Sequence, residues 1–294
     1  MVDGHTHLDA VLEVVVDDVA PEAGAAPSPS APRSLDDHLD LARAVGVVGA
    51  VQVGCDLESA RWTDAVVRER AELVGAVAVH PNEAVLHAGV REVAPDGLVP
   101  HPLPRHDVPL DEAVAEIARI ARANPRVRAI GETGLDYFRA GERGRAVQRE
   151  AFRAHVAVAK ELGLPLQIHD RDAHAEVVDV LLRDGAPDVT VFHCFSGDEE
   201  LARLCVAHGW YLSFAGPLTY RANDELRRAL RATPLGQVLV ETDAPYLPPL
   251  PHRGRPSAPY LVPITVRAIA EVQERPLAEV CERLYHTAGA IYGM

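Results

Sequence analysis

Short apolar runs rich in β-branched residues recur along this chain, and helical segments separate them. The strand-like runs are 2–8, 47–53, 73–79, 127–130, 164–168, 189–192, 210–214 and 238–240. Run 47–53 is almost continuously apolar, the pattern of a strand covered on both faces. Helical spacing is clearest at 35–45, where Leu35, Leu39, Ala42 and Val45 share a face and Gly46 ends the turn. Further helical segments are read at 57–71, 111–123, 145–162, 262–272 and 277–290. Alternation throughout a chain predicts parallel strands joined by helical crossovers. Eight such units in 294 residues fit a (β/α)8 TIM barrel of the α/β class, with 1–294 as one domain. An open doubly wound sheet is the structural alternative, but no Gly-x-Gly-x-x-Gly follows the first strand.

Two stretches interrupt the alternation. Segment 20–34 holds Pro21, Pro27, Pro29 and Pro32 among Ala, Gly and Ser, and segment 90–109 is a second Pro-rich loop containing His101 and His106. Both are read as surface insertions. Nowhere does an apolar run approach the ~18 residues of a membrane span. The first residues also lack a basic segment followed by an apolar core, so the expected location is cytoplasmic. Cys55, Cys194, Cys205 and Cys281 form no Cys-x-x-Cys pair and read as reduced thiols. The formal net charge is −14, whereas a general duplex-DNA binder is usually basic. Contact with nucleic acid would therefore be local and assisted by metal. Lys160 is the only lysine and falls inside a predicted helix, which excludes both a Schiff-base mechanism and a carbamylated lysine ligand.

In a barrel of this kind the chemistry lies where the C-terminal strand ends meet. The first strand offers His5 and His7, which at i and i+2 project from one face. Glu132 stands at the tip of the fourth strand, His169 ends the fifth, His193 the sixth and Asp243 the eighth. Polar residues ending otherwise apolar strands around one mouth form a metal-ligand set. Four histidines with two carboxylates exceed the needs of one tetrahedral ion and suit two divalent ions with Glu132 bridging them. Asp243 is assigned a second role, accepting a proton from the attacking water. Magnesium, manganese, zinc and similar ions all fit such donors.

Around this set, Arg253 is the candidate phosphate grip, with His80 and Arg171 as further substrate contacts. Asp136 and Tyr137 are placed near the mouth. His87, His101, His106, His252 and His286 are read as solvated, and His38, His155, His174 and His208 as helical bystanders. Cys194 is expected to point into the wall as a small apolar side chain.

The blocks Asp3-Gly4-His5-Thr6-His7-Leu8-Asp9, Gly131-Glu132-Thr133-Gly134-Leu135-Asp136-Tyr137, Ile168-His169-Asp170-Arg171-Asp172-Ala173, His193-Cys194-Phe195-Ser196-Gly197 and Glu241-Thr242-Asp243-Ala244-Pro245-Tyr246-Leu247 occur in this order. Over nearly its whole length the chain resembles the TatD-type metal-dependent deoxyribonucleases of the amidohydrolase superfamily. It departs from them at Ser257, where the family has Asn, at Val79 before His80-Pro81, and at Tyr285-His286-Thr287. The resemblance implies the barrel and divalent ions held by His5, His7, Glu132, His169, His193 and Asp243. It also implies phosphodiester hydrolysis, often as a 3′ exonuclease, so single-stranded or 3′-end DNA is the expected substrate; the sequence itself makes no membrane contact and no obligate protein partner evident. Two other functions fit the ligand set: an amidohydrolase acting on a lactone, amide or other ester, and a non-catalytic scaffold stabilised by metal.

Overall fold

The computed structural model describes residues 1–14 and 33–294; most of the Pro-rich segment 20–34 lies outside them. One sheet runs in sequence order through β1 (Val2–Thr6), β2 (Gly49–Gly54), β3 (Leu73–Val77), β4 (Val127–Asp136), β5 (Leu166–Arg171), β6 (Thr190–Phe192), β7 (Tyr211–Phe214) and β8 (Val238–Val240). Every neighbouring pair is parallel. The segment after β8 turns onto β1, where Thr6 bridges Ala244 and the Asp243 N–H donates to the His5 carbonyl at 2.9 Å. This contact brings the two ends of the sheet together as a (β/α)8 barrel.

The helices are α1 (Leu8–Glu13), α2 (Leu35–Ala44), α3 (Leu57–Glu69), α4 (Pro81–His87), α5 (Leu110–Ala123), α6 (Glu142–Leu162), α7 (His174–Asp184), α8 (Glu199–Ala207), α9 (Asp224–Ala232), α10 (Val262–Val272) and α11 (Leu277–Tyr292). Their ends follow local chemistry. Ser34 and Asp37 form a capping box at α2, Asp56 and Ser59 another at α3, and Gly163 closes α6 in the left-handed conformation at φ 62°. The stripe Ala113, Val114, Ile117, Ile120 and Ala121 buries one face of α5.

Two apolar layers result. Ile130, Leu166, Ile168, Phe192, Leu212 and Phe214 from the strands pack against Ile117, Phe152, Val156, Leu181 and Ile269 from the helices. Alternate strand residues with shorter side chains, Val51 and Val53, Val74 and Ala76, form a second cluster with Ala129, Val191 and Leu239. Ile291 and Tyr292 of α11 close that cluster, and the Tyr292 hydroxyl accepts from Gln167 Nε2 at 2.7 Å. A barrel interior filled by side chains is a packed core, which leaves the open mouth as the place for chemistry.

The structure lengthens two predicted strands. β4 continues to Asp136, so Glu132 sits within the strand rather than at its tip, and β5 continues to Arg171. At Gly134, φ is +146° and a Cβ would run into the His169 carbonyl oxygen, so glycine permits β4 to approach β5 there. The short helices α1 and α4 were not foreseen. Pro81 starts α4, and the His80 side chain accepts the Asn82 N–H at 3.1 Å.

Segment 90–109 is tied down more firmly than a surface insertion suggests. Arg105 Nε donates to Glu83 at 2.7 Å and pairs further with Asp56 and Glu58, while His106 Nε2 donates to Glu83 at 2.8 Å. At its other end Glu92 accepts the backbone N–H groups of Arg143 and Gly144 at the start of α6. His106 and His87 are therefore buried, not solvated, and His87 Nδ1 donates to the Val108 carbonyl at 2.8 Å. Sequence alone could not show this, because the partners sit on α3 and α4. His101 and His286 are exposed and His252 is half-buried. His38 stacks on Tyr260, His208 stacks on Trp210, and His174 bonds to Asp170.

Candidate metal centre

Each inward-facing imidazole is oriented by a partner on its far nitrogen. His5 Nδ1 lies 3.0 Å from Gln167 Oε1, His7 Nδ1 3.1 Å from the Val53 carbonyl, and His193 Nδ1 3.1 Å from Glu241 Oε1. An acceptor at Nδ1 calls for a proton there, which leaves the Nε2 lone pair of the neutral ring free to ligate. Gln167 is itself fixed, since its amide nitrogen donates to the Gly4 carbonyl at 2.9 Å and to Tyr292. Glu241 also accepts the Cys194 N–H at 2.7 Å.

Two of these lone-pair nitrogens face each other: His5 Nε2 and His7 Nε2 are 3.3 Å apart. Asp243 Oδ1 stands 3.3 Å from the His7 nitrogen and 3.9 Å from that of His5, and Glu132 Oε2 stands 3.7 Å and 3.6 Å from them. Four ligands about 2.1 Å from one ion would be about 3.4 Å from one another in a tetrahedron. The second group gathers on the other Glu132 oxygen: His169 Nδ1 at 2.6 Å, His193 Nε2 at 2.8 Å and His80 Nε2 at 3.5 Å from Oε1. His169 is held from behind by Asp136 Oδ2 at 3.3 Å, and Asp136 in turn accepts from Asn82 Nδ2 at 3.1 Å. Glu132 thus offers one oxygen to each group.

The electrostatics follow from carboxylates and imidazoles packed together out of water. Burial alone would raise the Glu132 carboxyl, yet the imidazoles of His193, His80 and His169 hold it well below the usual carboxylate range. Burial would likewise lower His7 and His169, but the carboxylates facing them push both up to about 9, and His193 rises well above the ordinary value. A cation bound among these rings would take over from their protons the balancing of the buried carboxylates. A donor set of neutral imidazole nitrogens and anionic carboxylates, converging at these separations, therefore fits divalent cations. Asp243 adopts a left-handed backbone at φ 54°, fixed by its bond to His5 and by the neighbouring Thr242–Asp3 pair, whose hydroxyl donates to Asp3 Oδ2 at 2.6 Å. Strained backbone of this kind persists where surrounding contacts over-determine it. Burial lifts the Asp3 carboxyl to about 8, against the lowering effect of its bonds from Thr242.

A family model described as TatD related DNase matches residues 2–293. The chain belongs to the TatD family. A protein of Mycobacterium tuberculosis named uncharacterized metal-dependent hydrolase TatD is 42% identical over 298 residues, covering 100% of this chain and 98% of that one. The Escherichia coli protein named 3′-5′ ssDNA/RNA exonuclease TatD is 32% identical over 229 residues, covering 77% and 78%. The crystal structure of the TatD homologue YjjV from Escherichia coli K12 superposes with a TM-score of 0.79 at 22% identity, covering 100% and 98%. TatD membership makes the chain one of a family of metal-dependent hydrolases.

In this TatD-family chain the six sequence-selected ligand candidates, His5, His7, Glu132, His169, His193 and Asp243, converge on one mouth. His80 joins them beside Glu132 and His169. Arg171 and Arg253 stand outside the ligand groups, one over the Phe138 ring and the other over that of Tyr220. Cys194 does not pack into the wall. It is half-buried at φ 41°, and burial together with the charges of Asp243, Glu241 and Glu132 keeps its thiol well above the ordinary value. Its backbone is held in the left-handed region just past β6 by the bond from its N–H to Glu241.

Sequence reading missed Gln167, Glu241 and Cys55. Cys55, just past β2, donates its thiol to Glu132 Oε2 at 3.3 Å. Glu241 carried a usable signal, a charged residue directly after an apolar strand and two before Asp243; Gln167 carried none beyond being polar within a strand.

Proposed function

We propose that this chain is a two-metal phosphodiesterase that trims single-stranded DNA from its 3′ end. The observation that carries the reading is Glu132, one carboxylate placed between two ligand groups with an oxygen turned to each. His5, His7 and Asp243 with Glu132 would hold one divalent ion, and His169 and His193 with Glu132 the other. Bound there, such ions supply Lewis acidity and neutralise charge developing on a phosphoryl group. Zinc, manganese and magnesium are the candidates the donor set allows.

The protein's own groups divide the remaining work. Asp243 accepts the proton of the attacking water with the oxygen not turned to the ligand group. Gln167, Val53 and Glu241 keep His5, His7 and His193 in the ligating tautomer, and Asp136 does the same for His169. His80, Arg171 and Arg253 contact the substrate phosphates from the rim. Support for the substrate class comes from the relative named as a ssDNA/RNA exonuclease, which shares 32% identity. The reading takes 1–294 as one catalytic domain, and its four free thiols suit the cytoplasm.

The test is hydrolysis of a 5′-labelled single-stranded oligonucleotide by chelated protein, with Mg²⁺, Mn²⁺ or Zn²⁺ added back and Asp243→Asn as the control. Metal-dependent stepwise shortening that the variant loses is the expected result. No cleavage by protein shown to carry bound ions would overturn the nuclease reading, and a lactone and ester panel would then take its place.

A further inference from the structure

The hydrolytic groups leave a set of aromatic side chains at the mouth unexplained. β4 and β5 pair Asp136 with Arg171, and two residues beyond Asp136 the Phe138 ring lies under the Arg171 guanidinium, 4.0 Å from its centre. Two strands on, Tyr220 follows the turn Gly216–Thr219 after β7, and its hydroxyl donates to the Pro248 carbonyl at 2.8 Å. The Arg253 guanidinium sits 4.9 Å over that ring. Tyr246, three residues past Asp243, is 56% exposed and meets the His7 ring at 5.9 Å. β6 lies between β5 and β7 in the sheet, so the two cation–aromatic pairs flank the loop that follows β6.

A guanidinium resting over an aromatic ring keeps the side away from that ring, and its N–H groups, available for further contacts. Arg171 and Arg253 are both exposed, so those sides are open to a ligand. Unpaired bases stack on such planes and on aromatic rings, while the N–H edge can reach the adjoining phosphate. The charge of the chain sharpens the point. At −14 with one lysine, the protein gains little from general attraction to a polyanion, so affinity for a strand must come from short-range contacts.

We propose that Phe138–Arg171, Tyr220–Arg253 and Tyr246 form a stacking platform that seats the unpaired bases of a single-stranded nucleic acid beside the metal centre. The proposal rests on the phosphodiesterase reading and adds the way the strand is held.

Asp243→Asn protein loaded with Mn²⁺ is titrated by fluorescence anisotropy with a short single-stranded oligonucleotide and with an abasic strand of the same length and phosphate count. The base-bearing strand is expected to bind about tenfold or more tighter, the effect of roughly one stacked base. Adding Tyr246→Ala, Phe138→Leu or Tyr220→Leu should shrink that ratio. Tyr246 is mostly exposed, so its loss does not endanger folding, and leucine keeps apolar packing at the other two sites without a flat ring. Equal binding of the two strands, or a ratio the three substitutions leave unchanged, overturns the platform. Wild-type protein that cleaves both strands equally well would refute the platform and leave the phosphodiesterase reading standing. Protein that neither binds nor cleaves either strand would refute both.

Discussion

His155 links acid stability to the geometry of the mouth. It is fully buried on α6, where Nδ1–H donates to the Ala151 carbonyl at 2.7 Å and Nε2 accepts the Val79 N–H at 3.1 Å. Val79 immediately precedes His80, so this acceptor fixes the end of the third barrel unit. Burial lowers the imidazole from the ordinary 6.5 to about 4, although the Ala151 bond works in the opposite direction. Between those two values the unfolded chain binds a proton here that the folded chain refuses, so stability falls as the pH falls. The gap of about 2.5 pH units, at about 1.4 kcal/mol each, gives about 3.5 kcal/mol in all, of which about 2 kcal/mol is lost between pH 7 and pH 5. His155→Leu removes the titration and leaves the Val79 N–H without its acceptor, at a cost of about 1–3 kcal/mol at pH 7. Urea unfolding of both proteins at pH 7 and pH 5, with chelator present throughout, isolates the effect. The wild-type advantage should shrink by about 2 kcal/mol on going to pH 5. An advantage of the same size at both pH values would refute the assignment of a neutral, accepting His155.

Three further outcomes follow from the structure. Glu241→Gln keeps the shape but removes the charge behind His193, and metal affinity should fall by about 10- to 100-fold in a competition titration against a chelator. Removing metal from the purified protein should lower its melting temperature, because ions that bind only the folded state contribute about 3–4 kcal/mol at 100 to 1,000 times their dissociation constant; calorimetry before and after chelation would read this. Arg105→Gln releases the strap between segment 90–109 and residues Asp56, Glu58 and Glu83, and limited proteolysis should then cut within 90–109 faster at little cost to global stability, about 1 kcal/mol.

Eight apolar, β-branched runs separated by helical spacing leave few alternatives to a parallel barrel, and polar residues ending those runs must meet where the strand ends meet. His5, His7, Glu132, His169, His193 and Asp243 were legible for that reason. How those residues are oriented, and what surrounds them, depends on contacts between distant segments. Gln167 orients His5 from 162 residues away, Thr242 bonds Asp3 across 239, and Glu83 on α4 pairs with the buried His106 of segment 90–109. Hydrophobic periodicity is a local signal and survives in a single segment, whereas a hydrogen-bond partner is chosen by closure of the barrel, which places residues from opposite ends of the chain within 3 Å of each other.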